Sequence, residues 1–151
     1  MDGSYVIIGG GLAAAKTAEA LRERGFDGAI TLVAGEKHLP YERPPLSKDF
    51  LAGKAERTAV FPLSADWYAR HRVDLQTGVR AVKLDPAGRF VILDDGTAVR
   101  YDKLVLATGS APRRFPGDPD VAYLRTLDDS ERLRERLGEG RSLVVVGGGW
   151  I

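Results

Sequence analysis

The sequence predicts an α/β fold in three layers, with a parallel β-sheet, helices packed on it and an inserted antiparallel β-meander. Apolar runs of strand length alternate with helical patterns in the first half of the chain. The hydrophobic period then changes to two over residues 79–100, which is typical of antiparallel strands. A glycine-rich turn at residues 9–11 returns at residues 147–149. This repeat indicates that a second domain of the same kind begins near the end of the chain.

The first element is an uncharged apolar run at residues 6–8, typical of a strand buried on both faces. Gly9-x-Gly11-x-x-Ala14 follows, with a helical pattern from Leu12 to about Arg24. In the Rossmann-type dinucleotide fingerprint, the first glycine makes the tight turn and the second lets the backbone approach a pyrophosphate. The phosphates bind N–H groups at the helix N-terminus. The pattern predicts a nucleotide site; the alternative is a tight strand-to-helix turn without a ligand.

A second strand at residues 30–33 leads to Glu36, close to the spacing at which dinucleotide folds offer an acid to the ribose hydroxyls. Glu36 is either this ribose ligand or an ordinary loop acid. Residues 39–51 contain three prolines, which disfavour helix before residue 46 and leave a short helix plausible from Ser47. This stiff segment holds Arg43 and Lys48 in defined positions. These two residues are either functional cations or surface charges of a proline-rich connection.

The remaining elements are a short capped helix at residues 64–71, a third parallel strand at residues 73–77 and the meander. We interpret His71 as a polar helix end, and the acids of the meander as turn residues rather than metal ligands: Asp85, Asp94 and Asp95. A further buried strand ends in small residues that permit close approach of a ligand or of the returning chain, Ala107, Thr108 and Gly109. An amphipathic helix follows at residues 127–137.

Composition excludes several classes of protein. The 22 basic and 21 acidic residues nearly cancel, so no net field attracts nucleic acid or a membrane surface. The chain contains no cysteine, which excludes disulfides, thiolate metal sites and a redox-active cysteine pair from this stretch. Its first residues lack the pattern of a signal peptide, and its apolar runs are too short to span a bilayer. We therefore expect a cytoplasmic location.

Three motifs allow a family to be named. The most specific is residues 40–48, Pro-Tyr-Glu-Arg-Pro-Pro-Leu-Ser-Lys, supported by residues 104–109 and 123–127. Over its whole length the chain resembles the N-terminal part of the FAD-dependent ferredoxin reductases of oxygenase electron-transfer chains. The resemblance implies that residues 1–110 are the N-terminal segment of a Rossmann-like FAD-binding domain. Residues 111–151 would then be the linker and the truncated start of a second Rossmann domain, which binds NAD(P).

The resemblance also implies roles for individual residues. The FAD pyrophosphate would lie along Gly9, Gly11, Leu12 and Ala13. Backbone groups of Val79 or Ala81 would face the adenine, and residues 107–109 would pass under the cofactor. The flavin-side cations would be Arg43 and Lys48, with Lys48 near the reactive N5 edge in a catalytic role. Arg125 resembles an arginine that reaches FAD from the second domain. Relatives commonly place an acid where this chain has Gly35, so either Glu36 binds the ribose or that contact is weaker.

The implied reaction is hydride transfer from NADH or NADPH to FAD, followed by single-electron transfer to a ferredoxin-type iron–sulfur protein. Disulfide reductases need a cysteine pair, and oxidases or peroxidases of the same plan need one cysteine near the position of Arg43; the chain has neither. A simple NAD dehydrogenase explains the first glycine motif but not the second. A nucleotide-binding module without turnover remains the alternative from a different class.

Overall fold

A computed structural model describes residues 3–117 and 121–147. The chain divides into two compact units, which we describe separately. Unit 1 comprises Met1–Tyr41 and Phe61–Gly109, and unit 2 comprises Glu42–Val60 and Ser110–Ile151. The chain leaves unit 1 after Tyr41 and re-enters it at Phe61.

Unit 1 contains the predicted parallel sheet. Its elements in chain order are β1 Ser4–Ile8, α1 Leu12–Glu23, β2 Ala29–Ala34, α2 Ala65–Arg70, β3 Val73–Thr77, β4 Ala81–Asp85, β5 Phe90–Leu93, β6 Ala98–Arg100 and β7 Lys103–Leu106. The parallel strands lie in the order β3-β2-β1-β7, and β4, β5 and β6 form a separate antiparallel sheet. This topology confirms the predicted meander and the three predicted parallel strands, at residues 6–8, 30–33 and 73–77.

The three layers of unit 1 follow from the alternation of side chains along β1. Ile7 packs with the alanines of α1 and with Tyr68 of α2 on one face of the sheet. Val6 and Ile8 pack on the other face with Val91 of β5 and its neighbours. Because a central strand with both faces covered needs apolar side chains at every position, β1 shows no polar alternation.

Local sequence signals set the ends of the helices and turns in unit 1. Ser64 caps α2 by accepting the Trp67 N–H at 3.2 Å, and the His71 Nδ1 lies 2.8 Å from the Trp67 carbonyl, as expected of a polar helix end. Asp85 and Asp95 accept backbone N–H groups of their own turns, from Gly88 and Thr97, and Asp94, in the turn after β5, accepts the N–H of Arg80 before β4. Their interpretation as turn residues is confirmed.

The strand predicted to be buried before residues 107–109 is instead an edge strand. Within the described residues β7 pairs only with β1, and Leu106 is 64% exposed. Leu104 and Val105 are half-buried. The prediction of a buried strand was wrong because an apolar run shows only that a strand is suited to burial. Burial also requires other segments to cover the strand, and its own residues do not indicate whether those segments are present.

Unit 2 contains two 3-10 helices, Pro44–Ser47 and Arg57–Val60, and the α-helix α3, Leu127–Arg136. The helix predicted from Ser47 is wrong: the helical turn begins at the prolines, whose missing N–H groups would be unpaired at a helix start in any case. The fully buried Ser130 of α3 donates its hydroxyl to the Leu46 carbonyl at 2.7 Å. This hydrogen bond joins the proline-rich segment to α3.

A capping box begins α3 and makes its stability depend on pH. The Thr126 hydroxyl accepts the Asp129 N–H at 3.1 Å, and the Asp129 carboxylate accepts the Thr126 N–H at 2.8 Å. Burial raises the pKa of Asp129, but hydrogen bonds from Thr126 and Arg125 outweigh it and leave this pKa below its ordinary value. A lowered carboxyl pKa stabilises the fold above the unfolded-state value and ceases to do so as pH falls through the folded-state value.

We therefore expect the contribution of Asp129 to be full at neutral pH, to begin to fall near the ordinary carboxyl pKa of about 4, and to be lost as pH falls through the lower folded-state value. Asp129→Asn should lower the melting temperature at pH 7 and have a smaller effect at an acidic pH below about 4, when both proteins are followed by circular dichroism. Glu135→Gln, at an exposed position later in α3, is the control. An Asp129→Asn effect of equal size at both pH values would contradict a role for the ionised carboxylate.

The last described residues resemble β1 in sequence but not in structure. Residues 143–147 form no strand, and three consecutive valines there are 74–85% exposed. A strand needs a neighbour for its backbone groups, and the described residues provide none there. The rest of the second glycine motif, residues 148–151, lies outside the described residues. No helix among the described residues is both long and apolar enough to cross a membrane.

Candidate functional site

The carboxyl ends of the parallel strands in unit 1 meet at one edge of the sheet. Ile8 of β1 is in register with Val33 of β2 and with Leu106 of β7, and Ala34 is in register with Thr77 of β3. The segments that follow these strands therefore lie side by side. In open α/β sheets, ligands bind outside this edge. We call the residues following β1, β2, β3 and β7 the carboxyl edge.

Gly9 makes the turn after β1 and is held closely from two sides. Its N–H donates to the Val33 carbonyl at 2.9 Å, and its φ of +149° is one that L side chains rarely adopt. A Cβ at this position would overlap the carbonyl group of Ala107. The glycine is therefore required by the packing of the protein itself.

Gly11, unlike Gly9, is not required by the packing or the backbone conformation of the protein. Its φ of −112° suits any residue, and a Cβ there would meet nothing within 4 Å. The Ala14 and Ala15 N–H groups donate to the Gly11 carbonyl, so the N–H groups of Leu12 and Ala13 precede the first intrahelical bonds of α1. Both residues are exposed. The positive end of α1 therefore borders open space, as an anion site requires.

Glu36 follows β2 and is half-buried. Its Oε2 accepts the phenol of the buried Tyr41 at 2.6 Å, and its carbonyl accepts the Gly78 N–H at 2.9 Å. Tyr41 also forms a parallel bridge with Gly11. The structure thus brings Glu36 to the carboxyl edge near the glycine turn, through a tyrosine whose role the sequence did not reveal.

The chain after β3 runs beside the end of β2. Val79 donates its N–H to the Ala34 carbonyl at 3.3 Å, so only its carbonyl is left to face a ligand. Ala81 is already part of β4, where it is in register with Leu93. Between them lies Arg80, which the sequence reading overlooked. The available signal was its position directly after a parallel strand, opposite a glycine that follows the neighbouring strand.

The small residues after β7 close the edge on its other side. Ala107 donates its N–H to the Ile8 carbonyl at 2.7 Å and packs against Gly9. Thr108 and Gly109 are exposed at the end of unit 1. Of the predicted site residues, the structure therefore brings to this edge the following set: Gly9, Gly11, Leu12, Ala13, Glu36, Val79, Ala107, Thr108 and Gly109.

The three predicted cations belong to unit 2. Arg43 immediately precedes the 3-10 helix and donates from Nη1 to the Arg125 carbonyl at 2.5 Å. Arg125 in turn donates from Nε to the Ser110 carbonyl at 3.0 Å. Lys48 ends the 3-10 helix, where its N–H donates to the Pro45 carbonyl and its side chain is exposed. Arg43 and Arg125 are therefore neighbours in unit 2, joined by the hydrogen bond from the Arg43 side chain to the Arg125 backbone.

Known proteins resemble this chain over nearly its whole length. The chain is 47% identical over 150 residues to the ferredoxin–NAD(+) reductase component of a p-cumate 2,3-dioxygenase system from Pseudomonas putida, covering 97% of this chain and 37% of that protein. It is 44% identical over 151 residues to the corresponding component of an anthranilate 1,2-dioxygenase system from Burkholderia cepacia, with the same coverage. The chain thus spans little more than a third of the length of these relatives.

A solved structure shares the fold. The reductase in a covalent putidaredoxin reductase–putidaredoxin complex superposes with a TM-score of 0.84 at 39% identity, covering 89% of this chain and 34% of that one. Residues 3–151 match the pyridine nucleotide-disulphide oxidoreductase family. Together with a strand–glycine–helix turn at the carboxyl edge of a parallel sheet, this match shows that the chain belongs to the pyridine nucleotide-disulphide oxidoreductase family.

Proposed function

We propose that this chain is the FAD-binding part of an oxidoreductase that takes a hydride from NADH or NADPH and delivers single electrons to a ferredoxin-type iron–sulfur protein. The observation that carries the proposal is the glycine turn. Gly9 is required by contact with Ala107, whereas Gly11 leaves open space beside the N–H groups of α1. A glycine that the protein's own packing does not need fits a position kept clear for a pyrophosphate. The names of the relatives support the choice of reaction.

The residues at the carboxyl edge fit the adenosine and pyrophosphate half of FAD. Leu12 and Ala13 would donate N–H groups to the pyrophosphate, and the dipole of α1 would favour its negative charge. Glu36 would accept a ribose hydroxyl, with its carboxylate oriented by Tyr41. The Val79 carbonyl, or a backbone group of Ala81, would accept from the adenine amino group. Residues 107–109 would pass beneath the cofactor.

The cations of unit 2 are proposed as the flavin-side residues. A bound FAD would supply the redox chemistry that protein side chains lack. Lys48 would place a positive charge at the flavin, and a cation there favours the added negative charge of the reduced state. Arg43 and Arg125 would be positioning residues, each already fixed by hydrogen bonds within unit 2. We assign residues 1–110 to the FAD domain and 111–151 to the start of the NAD(P) domain, in a cytoplasmic protein.

A second candidate function is nucleotide binding without turnover by these 151 residues alone. Residues 143–147 form no strand, so the described part of the chain holds one strand–glycine–helix unit. Hydride transfer between two dinucleotides uses two such units in the two-nucleotide plan that the repeated glycine motif predicts. FAD binding by this chain and turnover by this chain are therefore separate questions. Both can be tested on one purified sample.

The experiment is a visible absorption spectrum of the purified chain before and after it is mixed with FAD and desalted. We expect flavin bands to stay with the protein, Lys48→Ala to reduce retention, and no NADH-dependent ferricyanide reduction. Lys54→Ala, at another exposed lysine of the same segment, should retain FAD like the parent chain. Ferricyanide turnover by the chain would contradict the second candidate. Binding of neither FAD nor ADP, measured by calorimetry, would contradict the proposed FAD site.

A further inference from the structure

The hydroxyl of Ser130 makes an unusual contact for a serine inside a helix. Such a serine commonly points to solvent or donates its hydroxyl to the carbonyl four residues earlier. Ser130 is instead fully buried, and its hydroxyl donates at 2.7 Å to the carbonyl of Leu46, 84 positions away in the chain. Because burying a hydroxyl costs free energy unless it is hydrogen-bonded, this bond is what offsets the burial of a polar side chain here.

The Leu46 carbonyl depends on Ser130 for its hydrogen bond. Leu46 is itself buried, and the next N–H groups along the turn, those of Lys48 and Phe50, both donate to the Pro45 carbonyl instead. In the described part of unit 2, no backbone N–H donates to the Leu46 carbonyl. A buried carbonyl without a donor is costly, so the Ser130 hydroxyl stabilises the conformation at the end of the Pro44–Ser47 helix.

A second contact from α3 lies on the other side of Lys48. Arg134 donates from Nη1 to the Phe50 carbonyl at 3.5 Å, and its guanidinium carbon lies 5.4 Å from the centre of the Phe50 ring. Residues 130 and 134 are four apart and therefore share one face of α3. Their partners, residues 46 and 50, flank Lys48 at equal spacing. One face of α3 thus fixes the backbone both before and after this lysine.

The ammonium of Lys48 is not fixed by contacts of its own. The side chain is exposed, and among residues 3–117 and 121–147 it makes neither a hydrogen bond nor an ion pair. Its backbone, with a φ of −128° and a ψ of −121°, is neither helical nor extended, so the chain changes direction at this residue. Since a lysine side chain is long and flexible, the backbone decides which region its ammonium can reach.

We propose that Ser130 is the positioning residue of Lys48, and that its hydrogen bond to Leu46 holds the lysine where the ammonium meets the flavin half of FAD. This inference rests on the proposed function, in which Lys48 faces the flavin. Ser130 is buried and acts only through the backbone of the Pro44–Ser47 helix. The adenosine half of FAD is assigned to the carboxyl edge of unit 1, so loss of the Ser130 hydroxyl should weaken the binding of FAD and not that of ADP.

The test is isothermal titration calorimetry of the whole chain with FAD and with ADP, on the parent chain, Ser130→Ala, Lys48→Ala and the double variant. We expect Lys48→Ala to weaken FAD binding about fivefold, the upper range for an exposed charge pair. Ser130→Ala should weaken it about threefold, because the lysine is loosened but not removed. ADP affinity should change less than about twofold in every variant. In the Ser130→Ala background, Lys48→Ala should add less than about twofold, since residues that act through one another are not additive.

Glu131→Ala is the matched control. Glu131 follows Ser130 in α3 and contacts the second 3-10 helix, through an ion pair with Arg57 at 2.8 Å. Partly exposed ion pairs contribute little to stability, and this one lies away from the residues that flank Lys48. The variant should bind FAD like the parent chain and keep the full effect of Lys48→Ala. A loss of FAD affinity equal to that of Ser130→Ala would overturn the specific role of the Ser130 hydroxyl.

The other outcomes separate the inference from the proposed function. Equal effects of Lys48→Ala in the parent and Ser130→Ala backgrounds would overturn the inference and leave the proposed function standing, as would parallel losses of FAD and ADP affinity in Ser130→Ala. If the parent chain bound FAD no more tightly than ADP, the flavin-side role of Lys48 would fall with the inference. Binding of neither nucleotide would overturn the nucleotide site itself. Circular dichroism checks folding, and Ser130→Cys, of similar volume but with a weaker donor, replaces Ser130→Ala if that variant does not fold.

Discussion

Gly9→Ala is expected to lower the free energy of unfolding by about 2–5 kcal/mol, through backbone strain and overpacking together. The new Cβ would overlap the Ala107 carbonyl, and alanine would have to adopt a φ of +149°. The two segments cannot move apart without breaking hydrogen bonds, because the Ala107 N–H donates to the Ile8 carbonyl and the Gly9 N–H donates to the Val33 carbonyl. Chemical denaturation followed by far-ultraviolet circular dichroism measures the loss.

Gly11→Ala is the matched control for this change. Its Cβ would enter open space from an ordinary φ, so stability should stay within about 1 kcal/mol of the parent chain. ADP affinity should nevertheless fall by about tenfold, because the backbone can no longer approach the pyrophosphate as closely. If Gly9→Ala were as stable as Gly11→Ala, the close contact between the turn and Ala107 would be wrong.

The second large effect is expected at Arg22. Its guanidinium donates from Nε to the His71 carbonyl at 2.7 Å, from Nη1 to Phe26 and Gly28 at 2.7 and 2.8 Å, and from Nη2 to Arg72 at 3.0 Å. Burial, with a smaller contribution from the Arg72 charge, lowers the pKa of Arg22 from its very high ordinary value. One side chain therefore joins the end of α1, the loop before β2 and the turn before β3.

Arg22→Ala should cost about 2–4 kcal/mol, because hydrogen bonds to a charged group are lost and half-buried carbonyls are left without a protein donor. The fourth carbonyl, in an exposed hydrogen bond, belongs to Arg72, a non-glycine residue with a φ of 50° that needs such support. Urea denaturation of the variant measures the cost. Arg24→Ala, at an exposed arginine of the same helix end, should change stability by less than about 0.5 kcal/mol. Equal effects of the two variants would contradict the specific role of Arg22.

Arg22 shows why part of this network could not be read from the sequence. Its partners are carbonyls, which every residue carries, so no residue type marks them. Two of the four lie about fifty positions away, at His71 and Arg72. Arg80 and Gly35 are likewise distant in sequence, although a Cβ at position 35 would lie 3.0 Å from the Arg80 Cγ. The spacing of charged residues along the chain indicates which face of a helix they occupy. It does not indicate which backbone carbonyl groups a long side chain will contact in the folded protein.

The candidate site was predictable to the extent that it depends on local conformation. The fingerprint at Gly9, Gly11 and Ala14 specifies a strand, a turn and a helix start within one continuous stretch, and each formed. The proline-rich segment was harder, because Pro44 and Pro45 begin a helical turn as readily as they end one. The strand before Ala107 was misjudged in burial since burial depends on neighbours that the strand's own residues do not encode.

The sequence by itself determined the order of elements, the three-layer plan of unit 1, the glycine turn and the turn acids of the meander, because each depends on residues within a few positions of one another. Only the tertiary structure decided which glycine is needed for packing and which leaves open space. It also placed Arg80 over Gly35 and showed that β7 is an edge strand among the described residues. Those features depend on distances between segments that the register of the parallel strands brings together, and that register is set by the packing of the whole sheet.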